Sequence, residues 1–417
     1  MSMHSLPSHF FSRRWDAFSL FAVSFLALSV SMGAALVGLA KVLVLLAVLG
    51  RLWVDGWAGV VSWFRKAPLI VWIILLTLCW MALSGFWTMA DASVARAAFF
   101  RHSRWIWLIA VLYLVRHAAQ AWRVIGWLAV GQAFVVVLSW LMWLGVPVPF
   151  ATDRYPRELG ILFTSTLEQP VMGALLATLL WYFRERWEIQ WPKFGRKLAM
   201  ALLVLTTANV FLVMTGRTGY LAMLVFWGLV GWHSFGRKTR WVLALAPIAV
   251  AMTLFYTSPR FHHRVMEVSQ DIIRYQQQGD VLSSQGARLE MWRVAIAAGL
   301  DQPIIGHGVG SYPQLYEHYQ GRDPQGASNP HQQYLFWFAE FGVIGLSLLL
   351  LLFASLIRCA GTLPKDASGA LICTVVLAAI ISLANCPFYG VGMGEFLLLM
   401  FAVLTALQNK RDSHQGQ

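Results

Sequence analysis

Charge is what this chain has least of. Only 12% of its 417 residues are Asp, Glu, Lys or Arg, about half of the roughly 25% usual in soluble domains, and that shortfall excludes an ordinary water-soluble globule. Cysteine is sparse as well. Cys79, Cys359, Cys373 and Cys386 show no CxxC spacing, so they read as small apolar residues rather than a disulfide frame or metal site. Acidic residues number 19 against 32 basic ones. No polar segment outside one large loop is long enough to bury a core of its own.

Apolar sequence takes up the rest, with 58% hydrophobic residues. A bilayer core of roughly 30 Å needs about 20 such residues per helix, and the chain offers about twelve candidate runs. They lie near 15–31, 33–50, 68–87, 97–115, 121–145, 170–184, 197–214, 218–235, 240–257, 331–357, 367–386 and 390–408. The expectation is an all-α polytopic membrane protein. Helices 1–9 occupy residues 1–257, a helical loop fills 258–330, and helices 10–12 with a polar tail make up 331–417. Arg13 and Arg14 precede the first run, but no small-residue cleavage site clearly ends it, so it should stay as an anchor.

Lysine is missing from one set of loops altogether. Apart from Lys41, which falls inside the second run, every lysine lies in loops on one side of the twelve-span arrangement, with Arg13, Arg51, Arg65, Arg116, Arg184 and other arginines. Positive residues resist translocation, so that side and both termini should be cytoplasmic. The opposite loops carry arginine only. Lysine would serve solubility equally well, whereas arginine presents a planar fork of donors matched to phosphate oxygens, so the outer face looks built to hold an anion. Each arginine taken singly could instead anchor a helix end among lipid headgroups. The positive-inside bias accounts for much of the net charge of +13, and nucleic acid is not needed to explain it.

The loop from Ser258 to Pro330 interrupts the apolar pattern and ends in Asn329-Pro330-His331. Residues 260–278 are amphipathic, with Glu267 and Asp271 four apart on one face. Residues 286–300 place Leu289, Trp292, Ile296 and Leu300 on one helical stripe. Arg288 sits near the start of that helix, where backbone N–H groups and the dipole also favour an anion. Gly306-His307-Gly308-Val309-Gly310 reads as a tight turn between helices, because no strand-then-helix context supports a phosphate cradle. Elsewhere, Arg217 stands in the short hairpin Thr215-Gly216-Arg217-Thr218-Gly219. Arg154 and Arg157 flank Tyr155-Pro156, with acids beside them that could neutralise their charge. Lys41, Glu340 and Glu395 fall within apolar runs, as pathway residues or as buried pairs.

The run from Gly286 to Gly345, with Arg288, Trp292, Pro303, Gly306, Gly308, Gly310, His331, Tyr334, Leu335, Glu340, Gly342 and Gly345, resembles the O-antigen ligase and polymerase superfamily of bacterial envelope glycosyltransferases. Within it the chain looks most like an O-antigen ligase. One departure is Gln332, where the family often has Asn after the histidine. The resemblance implies a fold similar to the membrane glycosyltransferases of the C class. It also implies transfer of a finished O-antigen glycan from undecaprenyl diphosphate to the lipid A-core oligosaccharide, in the outer leaflet of the bacterial inner membrane, with no metal and no cofactor.

That chemistry needs a base, positive charge for the leaving diphosphate and an apolar path for the polyprenyl tail. His331 is the candidate general base, since an ordinary imidazole pKa of about 6.5 leaves it mostly neutral near pH 7. Arg288 and Arg217, the latter matching the family's arginine position between these spans, are the candidates for the diphosphate. Arg154, Arg157, Gln332 and Tyr334 make up the expected substrate-binding set. Outer-face acids are scattered and no Asp-x-Asp occurs among them, so arginine would have to replace a metal cation. An O-antigen polymerase or a protein O-oligosaccharyltransferase would use the same donor with another acceptor. A transporter should place polar groups at the bilayer midplane on broken helices, often in repeated halves. Here charge crowds one face without an internal repeat, which disfavours transport.

Overall fold

The computed structural model describes the chain apart from residues 1–5, 150–154, scattered positions between 235 and 258, 321–326 and 409–417. Among the described residues there is helix and no strand. The first half comprises α1 (Leu6–Ser29), α2 (Ala34–Arg65), α3 (Leu69–Leu83), α4 (Ala92–His102), α5 (Ile106–Leu114), α6 (Ala118–Trp143), α7 (Gln169–Tyr182), α8 (Arg184–Gln190) and α9 (Gly195–Ala208). Then follow α10 (Arg217–Ser234), α11 (Pro259–Gln278), α12 (Ser284–Asp301), α13 (Tyr312–Gln320), α14 (Gln333–Ala360), α15 (Lys365–Ile381) and α16 (Gly392–Thr405).

Five segments are long and apolar enough to cross a membrane by themselves: α2, Leu69–Phe86, α6, Gly195–Val213 and α14. The chain is a multi-pass membrane protein on that count. Other expected runs fall on helices that are shorter or more polar, and the run 240–257 lies largely outside the described residues. The run 97–115 is broken: α4 stops at His102, a 3-10 turn covers Ser103–Trp105, and α5 begins at Ile106. The run 367–386 stops early, because α15 ends at Ile381. Residues 382–391 then form a loop.

Helix α14 is the hub. It packs against α3, α12, α13, α15 and α16, and it is kinked at Gly342, whose φ of 65° lies in the left-handed region. The kink releases two backbone donors and two acceptors from the helical ladder, and each finds a partner in the chain after α12. Val343 N–H donates to Pro303 O (2.8 Å) and Ile344 N–H to Ile304 O (3.4 Å), while Ala339 O accepts from His307 N–H (3.1 Å) and Glu340 O from Gly308 N–H (2.8 Å). Unmade backbone bonds in an apolar surrounding cost several kcal/mol, so this exchange is what makes the kink tolerable. Space is as tight as the bonding. A Cβ at Gly306 would come within 2.5 Å of the backbone at Glu340–Gly342, and one at Gly342 would collide with the Ile304 carbonyl. The Gly306–Gly310 turn therefore spends its N–H groups inside the protein, with Val309 N–H on Ser84 Oγ as well (3.1 Å).

Charges inside the apolar layers are paired. Glu340 lies 3.0 Å from His102 Nε2 and accepts from Tyr312 N–H at 3.3 Å. Lys41 hydrogen-bonds Glu395, and Arg104 stands 3.6 Å from the same carboxylate while donating to Tyr389 O (2.8 Å) and Gly390 O. These contacts make Lys41, Glu340 and Glu395 buried pairs rather than lone groups. The four cysteines are unbridged, with Cys359, Cys373 and Cys386 buried and Cys79 exposed.

The stripe on α12 is only partly buried, with Leu289 and Trp292 intermediate. Ile296 and Leu300 are exposed, whereas Val294, Ala295, Ala298 and Gly299 are buried. A Cβ on Gly299 would strike the Phe338 ring, so small residues let α12 approach α14 closely and the large ones face away. Gly342→Ala should lower thermal stability in detergent by more than about 1 kcal/mol, since it adds both a steric clash and a disfavoured φ. An unchanged unfolding midpoint would show that the kink is not a fixed element.

Candidate active site

His331 stands just before α14 with φ of 51°, one of two non-glycine residues with positive φ among those described. For a residue with a Cβ that conformation stores strain, and it persists only where neighbours hold it. Three contacts do so. Asn329 Oδ1 accepts the His331 N–H at 3.0 Å, Pro330 O accepts Trp292 Nε1–H at 2.9 Å, and Gln333 N–H donates to Ser382 O at 2.8 Å. Trp292 and Arg288 are one turn apart on α12, so the indole bond that fixes Pro330 also brings Arg288 to the imidazole.

The electrostatics follow from that approach. Burial first, and then the positive charge of Arg288, push the His331 pKa below its ordinary value, an effect partly offset by the Asn385 side chain lying against the ring. Both main causes favour the neutral imidazole. Its Nδ1 is buried and has no hydrogen-bond partner among the described residues. Arg288 is itself pushed below the usual arginine range, by burial and by the nearby charge of Arg217. Two guanidinium groups thus sit close together beside a neutral imidazole.

They differ in what balances them. Arg288 makes no hydrogen bond or ion pair among the described residues, although it is half-buried. Arg217, the first residue of α10, donates from Nη2 to Glu267 Oε2 of α11 at 2.9 Å. Its position is set by a π-helical turn, Asn209–Val213, that ends α9, and by Tyr220, whose hydroxyl donates to Met214 O at 2.6 Å. A β-carbon on Gly216 would overlap the Thr166 carbonyl. The hairpin is therefore clamped at the base of Arg217.

The remaining expected residues are placed less centrally. Gln332 caps α14, its Oε1 accepting the Leu335 N–H at 2.6 Å, so the amide oxygen serves the helix end. The Tyr334 hydroxyl donates to Ala379 O of α15 at 2.8 Å. Arg157 is exposed on the 3-10 turn Arg157–Leu159, and no contact among the described residues joins it to His331. Arg154 lies outside the described residues. Sequence reasoning missed Asn385 by assigning it to a span, although the polar Asn385 and the helix-breaking Pro387 interrupt that apolar run. Glu267 was noted only for its place on a helix face. Among the described residues no group of three His, Cys, Asp or Glu side chains could hold a metal ion.

What the arrangement can do is bind a doubly charged anion at two arginines while a neutral imidazole accepts a proton beside it. The acid limb of any activity that depends on His331 should fall below pH ~6.5, the ordinary imidazole value, because the base form persists to lower pH. A kcat/KM profile whose acid limb lies above that value would contradict the burial and charge described.

Residues 202–350 match the sequence model of a family described as O-antigen ligase. That stretch contains Arg217, Arg288 and His331. An uncharacterized protein of Haemophilus influenzae (strain Rd) is 29% identical over 164 residues, 37% of this chain and 40% of that protein. The match thus spans about two fifths of that relative's length. One solved chain, from a structure titled "Structural coordination of polymerization and crosslinking by a peptidoglycan synthase complex", is 15% identical with a TM-score of 0.47, covering 83% of this chain and 98% of that one. At that score the likeness carries no argument.

Proposed function

We propose that this chain, whose residues 202–350 match the O-antigen ligase family, is an envelope glycosyltransferase of that superfamily. It moves an O-antigen glycan from undecaprenyl diphosphate to the lipid A-core oligosaccharide. The observation that carries this reading is Arg288, half-buried with no carboxylate partner among the described residues and close to both Arg217 and His331. A buried guanidinium without a counterion is expensive to keep unless a ligand supplies the charge.

In the transfer, an acceptor hydroxyl gives its proton to neutral His331 as its oxygen bonds to the anomeric carbon. The bond from that carbon to the diphosphate oxygen breaks at the same centre. The leaving diphosphate gains charge in this step, so arginines that grip it stabilise the transition state more than the ground state. Arginine charge stands where other transferases use a metal. Arg157 and Arg154 are then candidates for phosphates on the acceptor core. In this reading the fold is of the C class, the site opens to the periplasm, both termini are cytoplasmic, and the membrane is the bacterial inner membrane. The pairing of Lys41, Glu340 and Glu395 supports an enzyme over a carrier, since among the described residues these three charges have partners rather than standing alone along a path through the bundle.

The test is transfer by purified protein with chelator present, given lipid-linked glycan and either lipid A-core, a second lipid-linked glycan or an acceptor protein. Extension of lipid A-core is expected. Extension of one of the others instead would reassign the protein within the superfamily. His331→Ala should reduce transfer by at least about 10²-fold with unchanged membrane abundance. Near-normal transfer would remove His331 as base. Arg288→Lys should cost about tenfold or more despite keeping the charge, because the two-pronged phosphate contact is lost. Full activity with lysine would sink that mode of recognition.

A further inference from the structure

The carboxylate on Arg217 has no place in the transfer step, yet it occupies one of the two groups assigned to the diphosphate. Glu267 reaches it from the middle of α11, 50 residues away in sequence, and the two side chains are 29% and 30% exposed. A pair that water can reach is weak. A diphosphate offering several oxygens to two guanidinium groups is a stronger partner for arginine than one carboxylate.

The surroundings allow the exchange without undocking the helix. One turn before Glu267, His263 Nδ1 lies 3.2 Å from Glu267 Oε1, so the carboxylate keeps a neighbour when it lets the arginine go. One turn after it, Asp271 accepts from Arg274 Nη2 (2.6 Å) and from Gln285 N–H (3.4 Å), which ties α11 to the start of α12. Tyr275 donates to Glu290 Oε2 of α12 at 2.5 Å. With α11 pinned at its far end, rotation of a single side chain suffices. Among the described residues Arg288 has no such carboxylate, so the two arginines are not equivalent.

We propose that Glu267 is an exchange ligand for Arg217. It holds the guanidinium while no diphosphate is bound, yields it to the donor's diphosphate, and returns as the product diphosphate leaves. This rests on reading Arg217 and Arg288 as the diphosphate ligands. Its consequence concerns release: the product carries more charge than the donor and binds the arginines more tightly, and a carboxylate that competes for one of them loosens it.

The experiment measures binding of undecaprenyl diphosphate to the full-length protein in nanodiscs, for wild type, Glu267→Gln, Arg217→Gln and the double variant, with melting curves for each. Glu267→Gln should bind the probe about two- to five-fold more tightly, the range of an exposed ion pair. In the Arg217→Gln background the same change should do nothing. In turnover, Glu267→Gln should lower KM for donor and the inhibition constant of the product diphosphate by similar factors. Should Glu267→Gln melt early, Glu267→Asp, which shortens the reach and keeps the charge, should tighten binding to a smaller extent. Unchanged or weaker binding by a variant that melts like wild type would overturn the proposal. Tightening that persists without Arg217 would do so too. Arg217→Gln with undiminished affinity would instead remove the diphosphate reading itself.

Discussion

The structure depends on one exchange of backbone hydrogen bonds. At the Gly342 kink, α14 gives up two donors and two acceptors, and the chain from Pro303 to Gly308 takes up all four. In water such groups could be left to solvent; in an apolar surrounding they have to be matched one for one. The match fixes where the polar loop re-enters the helical layers. It sets the position of α12 against α14, and with it the distance between Arg288 and the histidine ahead of α14. Glycine is required on both sides of the exchange because the two backbones run too close for a side chain.

The charges sort into two kinds. Those inside the layers have partners, Glu340 hydrogen-bonded to His102 and Glu395 paired with Lys41 and Arg104, and they join helices that are distant in sequence. Those at the candidate site are less evenly matched among the described residues, because Glu267 pairs with Arg217 and no carboxylate pairs with Arg288. Buried charge of the first kind specifies a fold at little net gain in stability. The second kind raises the free energy of the empty site and favours an anion that fills it.

Much of this was legible in the sequence, and the limits have physical causes. Arg217, Arg288 and His331 stand in motifs whose glycines and prolines mark fixed backbone, and these three the structure brings together. Periodicity places Leu289, Trp292, Ile296 and Leu300 on one stripe of α12 but does not say which face packs. Small residues make the close contacts with α14, and Ile296 and Leu300 face outward. Gln332 and Tyr334 lie beside the histidine in sequence, yet their oxygen atoms bond to backbone, which adjacency cannot reveal. Asn385 and Glu267 approach the site through tertiary contacts alone. Spans such as 97–115 were drawn as continuous because hydropathy does not register a break made to let His102 and Arg104 reach their partners.

The loop from residue 382 to 391 comes late in the chain, after α15, yet it supplies the Ser382 carbonyl beside Gln333 and the Asn385 side chain against His331. During synthesis the arginines and the histidine are made well before that loop. A chain made only through α14 therefore holds Arg217, Arg288 and His331 but lacks the segment that encloses the imidazole. Enclosure of the imidazole waits on the C-terminal pair of helices, α15 and α16, which flank that loop.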